Sequence, residues 1–143
     1  MNGDLEKAKA LLSEGDYTCV VCREEYAHTS RDRGVKPLLN WLEEGMDLKG
    51  FSAADRVVGR ATAFLYVLLG VKAVHARIIS RPAAAVLETY GIESSAEKMV
   101  EGIINRRGDG PCPFEAAVLD ITDAGEALAA IRNKQMEMRR GSL

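Results

Sequence analysis

The sequence predicts one α/β domain in which helices cover a mixed β-sheet. Its 143 residues suffice for a single core, and the 47% hydrophobic and 28% charged fractions are typical of a soluble globular protein. A β-hairpin pattern follows the first predicted helix and indicates antiparallel strands. Strands that alternate with helices follow, and such units place their strands in parallel. We therefore expect a single domain over residues 1–143.

The predicted elements follow from apolar periodicity and from the residues that end each run. Helical runs repeat apolar residues every three or four positions, strand runs are rich in β-branched residues, and glycine or proline marks the ends. The predicted order is α-β-β-α-α-β-α-β-α-α. Its segments are 4–14, 17–23, 26–30, 38–44, 50–70, 72–79, 82–90, 99–105, 111–119 and 124–138.

Segment 50–70 is the predicted central helix. Ser52 is a suitable N-cap, Gly70 is a suitable C-terminal stop, and apolar residues recur between them at helical spacing. Asp55 and Arg56 would lie near its start, where they either satisfy each other or line a site at the helix N-terminus. The polar line along this helix consists of Asp55, Gly59, Thr62 and Tyr66.

One edge of the predicted sheet is the expected ligand site. Right-handed crossovers place the helix starts at that edge, and ligands of open α/β sheets bind beyond the carboxyl ends of the strands. Ser80 and Cys112 each begin a predicted helix and should therefore share this edge. Thr29 and Ser30 end the hairpin and are expected to present polar groups to the same crevice.

Cys112 is the candidate nucleophile. It lies at the start of a predicted helix, after a loop that carries Arg106 and Arg107, and both a helix N-terminus and nearby cations favour the thiolate. Glu115 either accepts a proton or caps the helix. The alternative is that Cys112 only packs, because no histidine partner is evident. The arginine loop either cradles an anion or is a tight surface turn.

No metal or cofactor is expected. Cys19 and Cys22 form a C-x-x-C pair, but on a strand their thiols point to opposite faces. His75 falls in a buried strand and is interpreted as a hydrogen-bonded core histidine. An odd number of cysteines without framework spacing fits a reducing compartment, and the N-terminal segment is unlike a signal peptide, so a cytoplasmic protein is expected.

The expected partner is a small-molecule ligand. The formal net charge of −2 gives no electrostatic reason to expect nucleic-acid binding. No segment has the apolar length of a membrane span. Self-association stays open, because helices such as 82–90 expose apolar residues if nothing covers them.

Several motifs taken together resemble one family. They are Thr29-Ser30, Arg33-Gly34, Pro37-Leu38-Leu39, Ala54-Asp55-Arg56-Val57-Val58-Gly59-Arg60-Ala61, Asn105-Arg106 and Cys112-Pro113-Phe114-Glu115. From about residue 11 to 119 the chain is similar to a family of small uncharacterised bacterial and archaeal proteins known as a domain of unknown function. That family has been placed by fold in the cytidine-deaminase-like superfamily. It usually has Lys and Met where this chain has Arg56 and Phe114.

The resemblance implies a three-layer α-β-α sandwich without the deaminase zinc site. Deaminases of this fold carry H-x-E or C-x-E at the start of the central helix and P-C-x-x-C after the next strand, where zinc activates a water. The matching positions are Ala53-Ala54-Asp55 and Arg81-Pro82-Ala83-Ala84-Ala85, and neither holds a zinc ligand. What carries over is a pocket. Its expected residues are Asp55, Arg56, Ser80, Asn105, Cys112 and Glu115.

The functional expectation is a zinc-free pocket for a small polar, nucleotide-like metabolite. In an enzyme, Cys112 would be the nucleophile, Asp55 or Glu115 would move the proton, and Arg56 or Arg106 would hold the anion. The alternative is a non-catalytic ligand-binding or regulatory module on the same scaffold. A zinc enzyme with unexpected ligands is the third alternative.

Overall fold

The computed structural model describes residues 3–105 and 107–141, within which the chain forms six helices and five strands. The helices are α1 (Gly3–Glu14), α2 (Lys36–Glu43), α3 (Arg60–Leu69), α4 (Arg81–Thr89), α5 (Pro113–Ala117) and α6 (Ala124–Gly141). The strands are β1 (Cys19–Arg23), β2 (Tyr26–Ser30), β3 (Ser52–Val58), β4 (Ala73–Ser80) and β5 (Glu93–Val100). Across the described ranges, no helix combines the length and apolar character needed to cross a bilayer.

The five strands form one mixed sheet in the order β2-β1-β3-β4-β5. Strand β1 runs antiparallel to both of its neighbours, β2 and β3, whereas β3, β4 and β5 are parallel. The predicted hairpin is present, and its tight turn is closed by the pair Arg23 and Tyr26. The mixed α/β sheet that the sequence predicts is therefore confirmed.

Helices cover both faces of this sheet. On one face Ala8 and Leu12 of α1 pack against a small cluster that includes Val20 and Cys22 of β1. On the other face α2, α3, α4 and α6 bury the larger core, in which α3 is central. Cys19 belongs to that second core, so the two thiols of the C-x-x-C pair lie on opposite faces, as alternation predicts.

The predicted helix over 50–70 is wrong in its first half. Residues 52–58 form β3, and the helix begins only after Gly59, whose backbone is extended. Ser52 is therefore a fully buried strand residue instead of an N-cap. Gly70 does end the helix, in the left-handed conformation with φ 85° that the sequence predicts.

The error has a physical cause. Strand β3 is paired on both sides, and its residues from Ser52 to Asp55 are buried. A strand buried on both faces shows no alternation of apolar and polar residues. The apolar residues of β3 and those of α3 together therefore mimic the periodicity of one long helix.

The strand predicted over 99–105 is also displaced, because β5 spans Glu93–Val100. This strand pairs only with β4, and Glu93 to Met99 are all exposed. A mostly polar edge strand with both faces in solvent carries no apolar pattern to reveal it. His75 of β4 pairs with Ser95 of β5, and a hydrogen bond of 2.8 Å joins His75 Nδ1 to Ser95 Oγ. The predicted hydrogen-bonded histidine is therefore confirmed.

Candidate functional site

A cavity of about 320 Å³ lies at the carboxyl end of β3, beside the first turn of α3. We call it the inner cavity. Its volume is within the usual range for small-molecule sites, and its position is the one that open α/β sheets use for ligands. Apolar walls come from Val35, Val57, Ile103 and Phe114. The polar and charged lining residues are Thr18, Arg33, Asp55, Arg56, Thr62 and Glu115.

Asp55 sits in this wall as part of a buried hydrogen-bond chain. The residue is 7% exposed, and its Oδ2 accepts from the Tyr66 hydroxyl at 2.7 Å. The same hydroxyl oxygen lies 3.0 Å from Cys19 Sγ. Because the one hydroxyl proton of Tyr66 is committed to Asp55, the Cys19 thiol donates to the Tyr66 oxygen. The amide of Val57 donates to the other carboxyl oxygen at 3.3 Å.

Burial determines the charge states of the three hydrogen-bonded groups Asp55, Tyr66 and Cys19. It raises the pKa of Asp55 to about 6, although the hydrogen bond from Tyr66 acts in the opposite direction. Burial also raises the pKa of the Cys19 thiol and of the Tyr66 hydroxyl well above their usual values, so both groups stay neutral at pH 7. Asp55 is therefore the member of this chain that titrates just below neutral pH.

Glu115 holds the start of α3. Its Oε1 accepts from the amide of Arg60 at 2.7 Å, and its Oε2 accepts from the amide of Ala61 at 2.9 Å. The N-cap residue Gly59 offers no side chain for this purpose, and a Cβ there would lie 2.5 Å from Glu115 Oε1. The predicted capping alternative for Glu115 is therefore found, but on α3 instead of on its own helix.

Arg60 of α3 binds in turn to the segment that follows α5. Its Nε donates to the carbonyl of Val118 at 3.1 Å, and its Nη2 donates to the carbonyl of Ile121. The guanidinium group also lies 5.1 Å from the ring centroid of Phe64. Contacts in both directions thus dock the segment around α5 onto α3, and this docking brings Cys112 to the inner cavity.

Arg56 is one of the two arginines that line the inner cavity among the described residues. Its Nη2 donates to Asp16 Oδ1 at 3.3 Å, but its Nε is buried and has no hydrogen-bond partner among the described residues. The prediction that Arg56 lies at a helix start is wrong, since it follows Asp55 within β3. A buried donor without an acceptor is costly, so this Nε weakens the local packing of the wall.

Cys112 lies one residue before α5, as its N-cap, and is partly exposed. Its amide donates to the carbonyl of Ile103 at 2.9 Å. It lines the inner cavity together with its near neighbour Glu115 and with Asp55, which comes from a separate part of the chain. The structure therefore brings the predicted catalytic residues to one cavity, and their catalytic role stays a prediction.

Ser80 has a purely local role in the structure. Its Oγ accepts from the amide of Ala83 at 3.1 Å, which confirms the predicted helix cap. The residue is fully buried and does not line the inner cavity. Ser80 is therefore not part of the cavity that Cys112 lines, because its hydroxyl caps the first turn of α4.

The other predicted ligand-binding residues lie outside the inner cavity or outside the described residues. Asn105 closes its own loop, with its Oδ1 accepting from the amide of Gly108 at 2.9 Å, as the tight-turn alternative predicts. Thr29 is exposed on β2, and Ser30 Oγ accepts from the amide of Asp32 at 3.1 Å, so neither faces the cavity. Arg106 lies outside the described residues.

Sequence reasoning missed several wall residues. Thr18 precedes β1, although the sequence predicts it inside a strand, and the C-x-x-C spacing of its neighbour Cys19 points to metal binding instead of to a cavity wall. Thr62 and Tyr66 belong to the polar line that the sequence shows, but the sequence does not reveal that only Thr62 lines the cavity. Tyr66 instead donates its hydroxyl proton to a buried polar partner, Asp55 of β3.

The residues at the observed helix starts do not fit a deaminase zinc site. The positions at the start of α3 are Gly59-Arg60-Ala61, not the Ala53-Ala54-Asp55 expected from the sequence, which lies in β3. The start of α4 is Ser80-Arg81-Pro82. Throughout residues 3–105 and 107–141, no group of three His, Cys, Asp or Glu side chains is placed to hold a metal ion.

Comparison with known proteins identifies the family. The family model described as TM1506, Domain of unknown function (DUF1893), matches residues 7–135. The crystal structure of a DUF1893 family protein (TM1506) from Thermotoga maritima is similar, with a TM-score of 0.85 and 25% sequence identity over 94% of this chain and 92% of that chain. No curated protein matches the sequence. The chain belongs to the DUF1893 domain family.

Proposed function

We propose that the inner cavity binds a small, anionic, nucleotide-like metabolite. The observation that carries the proposal is Arg56, which lines the cavity and whose guanidinium group forms an ion pair with the highly exposed carboxylate of Asp16, at 3.3 Å. A second guanidinium, that of Arg33, belongs to the same wall. Planar guanidinium groups are well suited to carboxylate and phosphate oxygens, so the ligand carries at least one such group.

The rest of the wall suits the body of such a ligand. Val35, Ile103 and Phe114 offer an apolar surface on which a ring can pack. Thr18 and Thr62 add hydroxyl groups that can donate or accept. This combination of a few convergent polar groups and an apolar wall is typical of metabolite sites.

The scaffold that we propose is the cytidine-deaminase-like sandwich. Two features support it: α3 follows β3 and begins at the cavity, and helices cover the sheet on both faces. The chain departs from that scaffold in its chemistry, because Glu115 occupies the amides at the helix start where deaminases hold zinc ligands. Ligand binding without deaminase zinc chemistry is therefore the function that these residues favour.

The Arg56→Gln variant tests the binding proposal. Common ribonucleosides and their 5′-monophosphates and 5′-diphosphates would be screened by thermal shift, since a ligand that binds the folded state raises Tm. We expect at least one monophosphate or diphosphate to bind, and its Kd to rise about tenfold or more in Arg56→Gln, because a charge-assisted hydrogen bond is lost. Arg132→Gln, an exposed charge change on α6, is the matched control. Failure of every compound, or equal affinity in Arg56→Gln, would contradict the proposal.

A catalytic version is the second candidate, and it rests on the shared cavity wall of Cys112 and Asp55. We propose Cys112 as the nucleophile and Asp55 as the proton acceptor, since a pKa of about 6 suits a general base near neutral pH. Glu115 is the weaker choice, because protonation of its carboxylate would weaken the hydrogen bonds from the two amides that it caps at the start of α3.

Thiol alkylation separates the two versions. Cys19 and Cys22 are fully buried, so iodoacetamide applied to the folded protein reports on Cys112. If Cys112 is catalytic, we expect fast alkylation well below the usual cysteine pKa, and a slower rate in Asp55→Asn. The rate is measured by mass spectrometry across pH 5–9. A rate equal to that of free cysteine at every pH would favour the non-catalytic module.

We also propose a cytoplasmic location and a reducing environment. Support comes from three free thiols, of which Cys19 and Cys22 lie on opposite faces of the sheet and cannot pair with each other.

A further inference from the structure

A second groove, of about 550 Å³, adjoins the inner cavity. We call it the outer groove. The residues that line both spaces are Arg33, Gly34, Val35, Cys112 and Phe114. Gly34 has the left-handed φ of 62° that glycine adopts readily, and this turn keeps Arg33 at the junction of the two spaces. One ligand can therefore extend from the inner cavity into the outer groove.

The outer groove concentrates positive charge on a chain whose formal net charge is −2. Its cationic lining residues are Arg33, Lys36 and Arg107. Among its described lining residues none is acidic, and the amides of Asn105 and Gln135 supply further polar groups. The carboxylate that approaches Lys36 is that of Asp32, at 3.9 Å and with both side chains largely exposed, so it offsets little of the charge.

We propose that the outer groove binds the phosphate groups of a ligand whose body occupies the inner cavity. The inference rests on the proposed function and narrows its ligand class to compounds with two or more phosphate groups. A single carboxylate or phosphate would be satisfied by Arg56 within the cavity. The outer groove instead carries three cations, and none of its described lining residues is acidic. Such a lining matches a larger anion with more than one negative charge.

The test uses isothermal titration of the full chain with inorganic pyrophosphate, ribonucleosides and the matching nucleoside 5′-diphosphates. We expect the diphosphate to bind at least about tenfold more tightly than its nucleoside. Lys36→Gln and Arg107→Gln should each weaken diphosphate binding about tenfold while leaving nucleoside binding unchanged, because each removes one contact to phosphate. Arg132→Gln, outside the outer groove, should change neither affinity.

The outcomes separate this inference from the proposed function. Equal affinities for a nucleoside and its diphosphate would overturn the inference and leave the inner cavity as the binding site. Equal weakening by Arg132→Gln would also overturn it, because the attraction would then be diffuse. Pyrophosphate binding that depends on Lys36 and Arg107, without any nucleoside or diphosphate binding, would support the phosphate site and overturn the proposed function. Failure of all probes would overturn both.

Discussion

Replacement of Glu115 by alanine is expected to lower the free energy of unfolding by about 2–3 kcal/mol. The variant loses two charge-assisted hydrogen bonds and leaves the amides of Arg60 and Ala61 without acceptors at a partly buried helix start. The carboxylate also interacts favourably with the positive end of the α3 dipole, and the variant loses this interaction too. Urea denaturation measures the free energy, and a thermal melt should show a fall in Tm of roughly 5–10 °C.

A double-mutant cycle with Gly59 makes this prediction specific. In Gly59→Ala the new Cβ would lie 2.5 Å from Glu115 Oε1, so the carboxylate must move and the variant should lose about 1–3 kcal/mol. In the Glu115→Ala background that clash is absent, and the same substitution should cost close to nothing. Glu115→Gln, which keeps one acceptor oxygen, should fall between wild type and Glu115→Ala.

Glu25→Ala removes an exposed glutamate in the β1–β2 turn and should change the free energy of unfolding by no more than about 0.5 kcal/mol. Additive losses for Gly59→Ala and Glu115→Ala would mean that the two residues do not touch. A loss in Glu115→Ala no larger than that in Glu25→Ala would mean that the carboxylate does not cap α3.

Local signals in the sequence were sufficient for much of the fold. The hairpin, the Ser80 cap and the Gly70 stop depend on residues within a few positions of one another, and all three are present. Strand β3 is not predicted from the sequence, because burial on both sides removes the alternation that distinguishes a strand from a helix. Strand β5 was displaced because exposure on both faces leaves it no apolar pattern.

The candidate site was predictable only where a topological rule applied. The rule that ligands bind beyond strand carboxyl ends places Cys112 at the ligand edge, and the family resemblance adds Asp55; both residues line the inner cavity. It failed for Ser80, whose hydroxyl is used by its own helix. The contact of Glu115 with α3 joins residues 55 positions apart, and no local pattern encodes such a distance.

The Asp55→Asn variant is expected to be more stable than wild type at pH 7, by about 3 kcal/mol. Burial raises the pKa of Asp55 from 3.8 to about 6. The folded protein therefore binds a proton more tightly than the unfolded chain does, and this stabilisation is complete below pH 3.8 and lost as the pH rises through 6. Asparagine is neutral at every pH and avoids the cost of a buried charge.

The asparagine can keep the hydrogen bonds of the site. Its carbonyl oxygen can accept from the amide of Val57, and its amide can donate to the oxygen of Tyr66, whose proton then turns towards Cys19 Sγ. Urea denaturation of both proteins at several pH values from 4 to 7 measures the difference. It should be small at pH 4 and grow towards pH 7. Asp120→Asn, at an exposed position, should show no such growth.

The sign of that difference bears directly on function. If Asp55→Asn gains stability at neutral pH, the carboxyl group at the wall of the inner cavity weakens the fold that carries it, and a role in ligand binding or proton transfer accounts for its presence. The variant should then lose metabolite binding or slow the alkylation of Cys112 while melting at a higher temperature. A variant that is less stable at every pH would show instead that the carboxyl group serves the fold through Tyr66 and Val57.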